Sequence, residues 1–145
     1  MSGGGRAYLH RALAPDPQLG FAEWDGKVYE TRLGPDKYVG RVELDTGRIY
    51  EARFGPDKYV GRVDLSSGKV YRHVPGRPDD YLGQVDANGN CYRHQPLARD
   101  PYVGNLTPMP GFALAGAAFF LLLLPHLEPP AEPPAAEPPK PEDKP

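Results

Sequence analysis

Tyr59-Val60-Gly61-Arg62-Val63-Asp64-Leu65-Ser66-Ser67-Gly68-Lys69-Val70-Tyr71 reads as two β-runs joined by a tight turn, and the chain repeats it. Copies begin at Gly5, Gly26, Gly47, Gly68 and Gly89, a period of 21 residues. A tyrosine recurs at the fourth position of each as Tyr8, Tyr29, Tyr50, Tyr71 and Tyr92. In the first run, typified by Lys27-Val28-Tyr29-Glu30-Thr31-Arg32, β-branched and aromatic residues alternate with charges, as suits a half-buried strand. In the second run, a period of two places Tyr59, Gly61, Val63 and Leu65 on one face and Val60, Arg62 and Asp64 on the other.

Between a second run and the next first run stand Asp25-Gly26, Asp45-Thr46-Gly47, Ser66-Ser67-Gly68 and Asn88-Gly89, which predict four tight hairpins. The opposite connections, such as Leu33-Gly34-Pro35-Asp36, are longer and carry proline, so they read as surface loops at the other end of the strands. A glycine interrupts every second run, as Gly20, Gly40, Gly61, Gly83 and Gly104. Glycine weakens a strand unless a bend or a close backbone approach requires it, so its repetition suggests strands curving alike around an axis. An open meander would leave two unpaired edges, which a ring removes. The flanking half-units, residues 6–11 and 102–106, leave two counts open: five-fold if they pair, four-fold if they do not.

The recurring Tyr-Val-Gly-Arg-Val-Asp-x-x-x-Gly-x-Val-Tyr pattern of Tyr59–Tyr71 resembles the β-flower family, shallow symmetric barrels of repeated hairpins, over residues 5–106. The resemblance implies a fold of poorly defined function, with a lipid or small apolar molecule as its ligand. The expected class is all-β: a shallow closed barrel or ring of four to five hairpin repeats, followed by one hydrophobic helix and a disordered Pro-rich tail.

The wider composition agrees. Of the 145 residues, 19 are proline and 17 glycine, which disfavours a helical bundle. The 17 Lys+Arg against 19 Asp+Glu, a net charge of −2, argue against a nucleic-acid partner. A single cysteine rules out an intramolecular disulfide, and Cys91, standing where other copies have Val28, Ile49 and Val70, reads as a small core hydrophobe.

Residues 112–124, Phe-Ala-Leu-Ala-Gly-Ala-Ala-Phe-Phe-Leu-Leu-Leu-Leu, are uncharged and apolar. As a helix they reach about 20 Å, short of a hydrocarbon core of about 30 Å, but extension to Leu106 and Leu127 makes a span long enough. A helix packed onto the β domain is the alternative. Four consecutive leucines and two phenylalanines cover every side, so one face would stay in water, and a transmembrane helix over residues 107–127 is therefore expected. Residues 128–145 read as an extended Pro/Glu-rich spacer. No apolar segment opens the chain, so the repeat domain (5–106) is expected on the cytoplasmic side of a single-pass span; Arg93 and Arg99 before it and Lys140 and Lys144 after it balance, and do not set orientation.

Chemistry is sparse. His10, His73 and His94 share the sixth position of their copies, yet equivalent strands of adjacent hairpins lie about 9–10 Å apart, too far for one metal. No P-loop, dinucleotide fingerprint or HExxH occurs, and neither a catalytic residue nor a cofactor nor a metal site is assigned. The tyrosines Tyr8, Tyr29, Tyr50, Tyr71 and Tyr92 are the candidates to line a ligand site at the ring's centre, or else they are cross-strand packing. The expected function is a membrane-anchored, non-enzymatic binding module for a lipid or small apolar ligand; the alternative is a structural adaptor whose Pro-rich tail recruits a protein partner.

Overall fold

The half-units decide the count. The computed structural model describes residues 4–127, which contain ten antiparallel strands: β1 (Gly5–Leu9), β2 (Gln18–Ala22), β3 (Lys27–Glu30), β4 (Lys37–Val42), β5 (Arg48–Glu51), β6 (Lys58–Val63), β7 (Lys69–Arg72), β8 (Asp80–Val85), β9 (Asn90–Arg93) and β10 (Tyr102–Thr107). They follow one another around a closed barrel in chain order. β1 seals against β10, with Ala7 opposite Leu106 and Tyr8 opposite Asn105, so the ring is five-fold. The Pro-rich tail of residues 128–145 lies outside the described residues.

The tight turns are made as their residues require. Asp25, Asp64 and Asp86 accept hydrogen bonds from the backbone N–H two residues on, at 3.0, 2.9 and 2.9 Å, and Gly26, Gly47, Gly68 and Gly89 adopt φ of 96°, 82°, 79° and 89°, a region glycine enters without steric cost. Each turn glycine also reaches the next hairpin: the N–H groups of Val42, Val63, Val85 and Leu106 donate to the carbonyls of Gly26, Gly47, Gly68 and Gly89 at 2.8–2.9 Å.

A bulge corrects the assignment of faces. In β6 opposite β5, Gly61 pairs with Ile49 and Tyr59 with Tyr50, leaving Val60 as the extra residue. The same irregularity falls at Leu19, Val39, Leu82 and Val103. Two residues then oppose one, and the period of two reverses across the bulge. Gly61 and Val63 are buried and point inward, with Val60 packed against the core, while Tyr59 turns outward beside Arg62. Each bulge carbonyl accepts the N–H of the sixth-position residue of the following unit, as His73 donates to Val60 at 2.9 Å.

Two levels of the wall face the lumen. One is a girdle of paired apolar residues: Ala22 with Val28, Val42 with Ile49, Val63 with Val70, Val85 with Cys91, and Ala7 with Leu106, all at most 4% exposed. The other is the set of five mid-strand glycines. No side chain of either level is long enough to meet its counterpart across a ten-stranded barrel.

The hydrophobic segment fills that space. Residues 112–127 form α1 (Phe112–Ala118), a π-helical turn (Phe119–Leu123) and α2 (Leu124–Leu127), running along the barrel axis in contact with strands on all sides. No helix among the described residues is long and apolar enough to cross a membrane, and the span expected over 107–127 is replaced by this plug. The physical reason is that a helix apolar all round needs an apolar environment all round, which a closed barrel supplies as completely as lipid.

Plug and wall are complementary in size. α1 is mostly alanine and glycine where it passes the valine girdle; a Cβ at Gly116 would stand 2.6 Å from Val63 Cβ. Below it, five consecutive large residues meet the five mid-strand glycines: Phe119 at Gly83, Phe120 at Gly61, Leu121 at Gly40, Leu122 at Gly20 and Leu123 at Gly104. Each step along the chain moves to the next unit of the ring. An α-helix advances about 100° per residue, whereas five-fold symmetry asks for about 72°; the wider i→i+5 hydrogen bonding of the π-turn brings the two periods into step. The glycines are required twice over, because a Cβ there would also overlap the carbonyl oxygens of Tyr29, Tyr50, Tyr71, Tyr92 and Tyr8 on the next strand.

Cys91 is fully buried in the girdle, and burial pushes its thiol up to about 12. The native chain is accordingly expected to resist iodoacetamide at neutral pH and to react once unfolded in denaturant, as read by intact mass; alkylation of the native protein at the rate of a free thiol would contradict this placement.

Candidate functional site

The five repeated tyrosines do not surround the lumen. Their inward neighbours Ala7, Val28, Ile49, Val70 and Cys91 are buried, so alternation turns Tyr8, Tyr29, Tyr50, Tyr71 and Tyr92 onto the outer wall, one per unit and half-buried. There they join a belt. Tyr29 packs with Tyr38, Tyr50 with Tyr59, Tyr71 with Tyr81 and Tyr92 with Tyr102, at centroid separations of 5.8, 5.8, 5.5 and 6.0 Å. The guanidinium groups of Arg41 and Arg62 lie 4.1 Å over the rings of Tyr50 and Tyr71. Cross-strand ring contacts of this kind stabilise sheets without any ligand.

The sixth-position histidines belong to the same belt. His10, His73 and His94 face Asp16, Asp79 and Asp100 of their own loops at 3.7, 3.4 and 3.4 Å and pack against Tyr102, Tyr59 and Tyr81. Neighbouring units are thereby linked ring to ring. Asp57 completes the link between units two and three, accepting from Tyr38 Oη at 2.6 Å and Arg41 Nε at 3.3 Å. Burial, reinforced by that carboxylate, pushes the Tyr38 phenol up to about 12.

Asp79 is held below its ordinary value of 3.8, first by the hydrogen bond from Arg62 Nε at 2.9 Å and then by its charge and by His73. A depressed carboxylate stabilises the fold above its unfolded pKa, and that contribution disappears as pH falls through the folded value. Asp79→Asn is thus expected to lower stability at neutral pH by an amount in the range of exposed pairs, below about 1 kcal/mol. The difference should vanish in urea titrations run well below pH 3.8; an equal deficit at both pH values would show that the charge is not its source.

One concave site interrupts the five-fold pattern. Where the plug emerges among the long loops, a groove of about 600 Å³ opens on the side of β3–β7. Its floor is apolar, made by Phe120, Leu121 and Leu124 of the plug and the bulge residues Val39 and Val60; its rim carries Lys37, Lys58, Tyr38, Tyr59, Glu30 and Glu51. In register, Glu30 stands opposite Lys37 and Glu51 opposite Lys58. Both carboxylates are instead taken by arginines of their own strand ends, Glu30 by Arg32 at 3.1 Å and Glu51 by Arg53 at 2.7 Å. Among the described residues neither lysine has an ion-pair partner, and two ammonium groups stand over an apolar floor.

No family model, curated protein or solved structure matches the chain. The ten-stranded antiparallel closed barrel is compatible with a β-flower-like repeat barrel. Of the groove's lining residues His73 was weighed from the sequence, as a metal ligand and not as part of a groove; the lysines were not, although one signal was present: the residue before the second-run tyrosine is lysine only in copies two and three, Lys37 and Lys58, against Asp80 and Pro101 in copies four and five.

Proposed function

We propose that the chain is a non-enzymatic binding module of the β-flower kind, whose groove takes an amphipathic anion: an apolar chain lying on Phe120, Leu121 and Leu124, with its head between Lys37 and Lys58. The observation that carries this reading is the pairing of an apolar floor with two ammonium groups whose facing carboxylates are already bonded elsewhere. A groove of this size suits a small ligand, and apolar lining with a few convergent polar groups is the usual character of such sites. The expected association with a membrane stays with this reading, since amphiphiles of this class reside in bilayers. The lumen, by contrast, is taken by the chain's own helix and is not the ligand's place.

The test uses the full chain. Laurate titrated by calorimetry should bind once per chain; Lys37→Gln with Lys58→Gln should weaken binding at least tenfold with an unchanged melting temperature, and Leu121→Ala should weaken it without altering its salt dependence. Absence of laurate binding, or binding indifferent to both lysines, would remove the proposal.

A further inference from the structure

The loops around this groove hold apolar side chains away from the protein. Leu13, Leu33, Phe54 and Leu97, one in each of four of the five long loops, are exposed to 100%, 104%, 110% and 106% of their free surface. Scattered surface leucines are ordinary. These are not scattered: they recur at the eighth or ninth position of their copies, all at the end of the barrel from which the plug emerges.

The backbone bears a cost to hold one of them there. Gly34, Gly55 and Gly76 occupy the ninth position of copies two to four with φ of 83°, 97° and 82°. In copy five the same position is Leu97, which adopts φ 66°, a left-handed conformation unfavourable for a leucine by roughly 1–2 kcal/mol. Strain of this sort persists where function uses it. An arginine accompanies every tip, as Arg11, Arg32, Arg53 and Arg99, and Arg77 stands in the fourth loop. Arg32, Arg53 and Arg77 are neutralised by Glu30, Glu51 and Asp80.

The shape of this crown selects its partner. Four apolar tips spaced around the rim form no contiguous patch of the kind that a folded protein packs against with a desolvated centre. A bilayer has no lateral register, accepts each tip separately, and meets the arginines at the level of its phosphates. We infer that the long-loop crown docks on a lipid bilayer surface, inserting Leu13, Leu33, Phe54 and Leu97 to the headgroup–acyl boundary with the barrel standing upright. The tight-turn end then points into water, and the groove opens toward the lipid.

The chain carries its own orientation control, because its single tryptophan, Trp24, lies in the turn between β2 and β3 at the opposite end and is 59% exposed. The full chain should co-sediment with phosphatidylcholine vesicles, and more strongly when phosphatidylserine is added. Trp24 emission should not change on binding. In a Trp24→Phe background, Phe54→Trp should give emission that shifts blue and is quenched by brominated acyl chains. Leu33→Glu with Phe54→Glu should lower partitioning at least tenfold at an unchanged melting temperature, since neither side chain touches the fold. The inference is overturned if the chain stays in the supernatant with both vesicle types, if Trp24 is the quenched residue, or if the double substitution leaves binding intact. These readouts do not involve Lys37 or Lys58, so loss of laurate binding leaves them unaffected.

Discussion

A chain ending at Pro110 is expected to lose the barrel, whereas one ending at Leu127 keeps it. Among the described residues the girdle of valines and alanines and the ring of glycines have no other filling than residues 112–124, and without it both levels face a wet hole. Five large side chains of the plug, Leu114, Phe119, Leu122, Leu123 and Leu124, are at most 4% exposed. At about 1.5–3 kcal/mol for each buried large apolar side chain, they contribute roughly as much as the whole stability of an ordinary domain, about 5–15 kcal/mol. Within the plug, Phe119→Ala is the severest single truncation, at about 3–5 kcal/mol. Far-UV circular dichroism and urea titration of the two truncated chains decide the matter; a cooperative, stable barrel ending at Pro110 would mean that the strands hold themselves without a core.

The second large effect is expected at the mid-strand glycines. Gly61→Ala places a Cβ 2.6 Å from Phe120 Cε2 and against the carbonyl oxygen of Tyr71. Overpacking of this kind costs about 1–3 kcal/mol, and Gly61→Val should cost more. Phe120→Ala in the same chain should restore only part of the loss, because the ring can be removed and the carbonyl cannot. Urea midpoints of the three variants test this. Full recovery in the double variant would reduce the glycine's role to making room for the plug, and no loss in Gly61→Ala would refute the close approach altogether.

Much of this barrel was readable in the repeat. The turn chemistry of Asp25-Gly26 and its equivalents predicts the hairpins, and the recurrence of Gly20, Gly40, Gly61, Gly83 and Gly104 points to close approach within a curved ring. Four things were hidden, each for a definite reason. The bulge at Val60 adds one residue without any composition of its own, so a strict alternation read through it sends Tyr59 to the wrong face. The plug has the same all-round apolarity as a membrane span, and a segment's own sequence does not say whether lipid or its own strands surround it. The groove opens where the plug leaves the ring over β3–β7, and Phe120 and Leu121 line it together with Lys37 and Lys58, which stand more than sixty residues earlier in the chain. The loops, read simply as surface connections, gave no hint of Leu97 at φ 66°.

The position of the plug after all ten strands bears on how the chain is made. Each hairpin pairs residues close in sequence and can form as it leaves the ribosome, while the seam between Ala7 and Leu106 joins residues about a hundred apart. The segment that fills the interior is translated after both sides of that seam. A nascent chain therefore passes through an interval in which five hairpins are complete, their valine girdle has no occupant, and β1 and β10 offer open edges to any passing strand. Emergence of residues 112–124 from the ribosome ends that interval, so the delay between the exit of β10 and the exit of the plug would govern how much newborn protein is lost to aggregation.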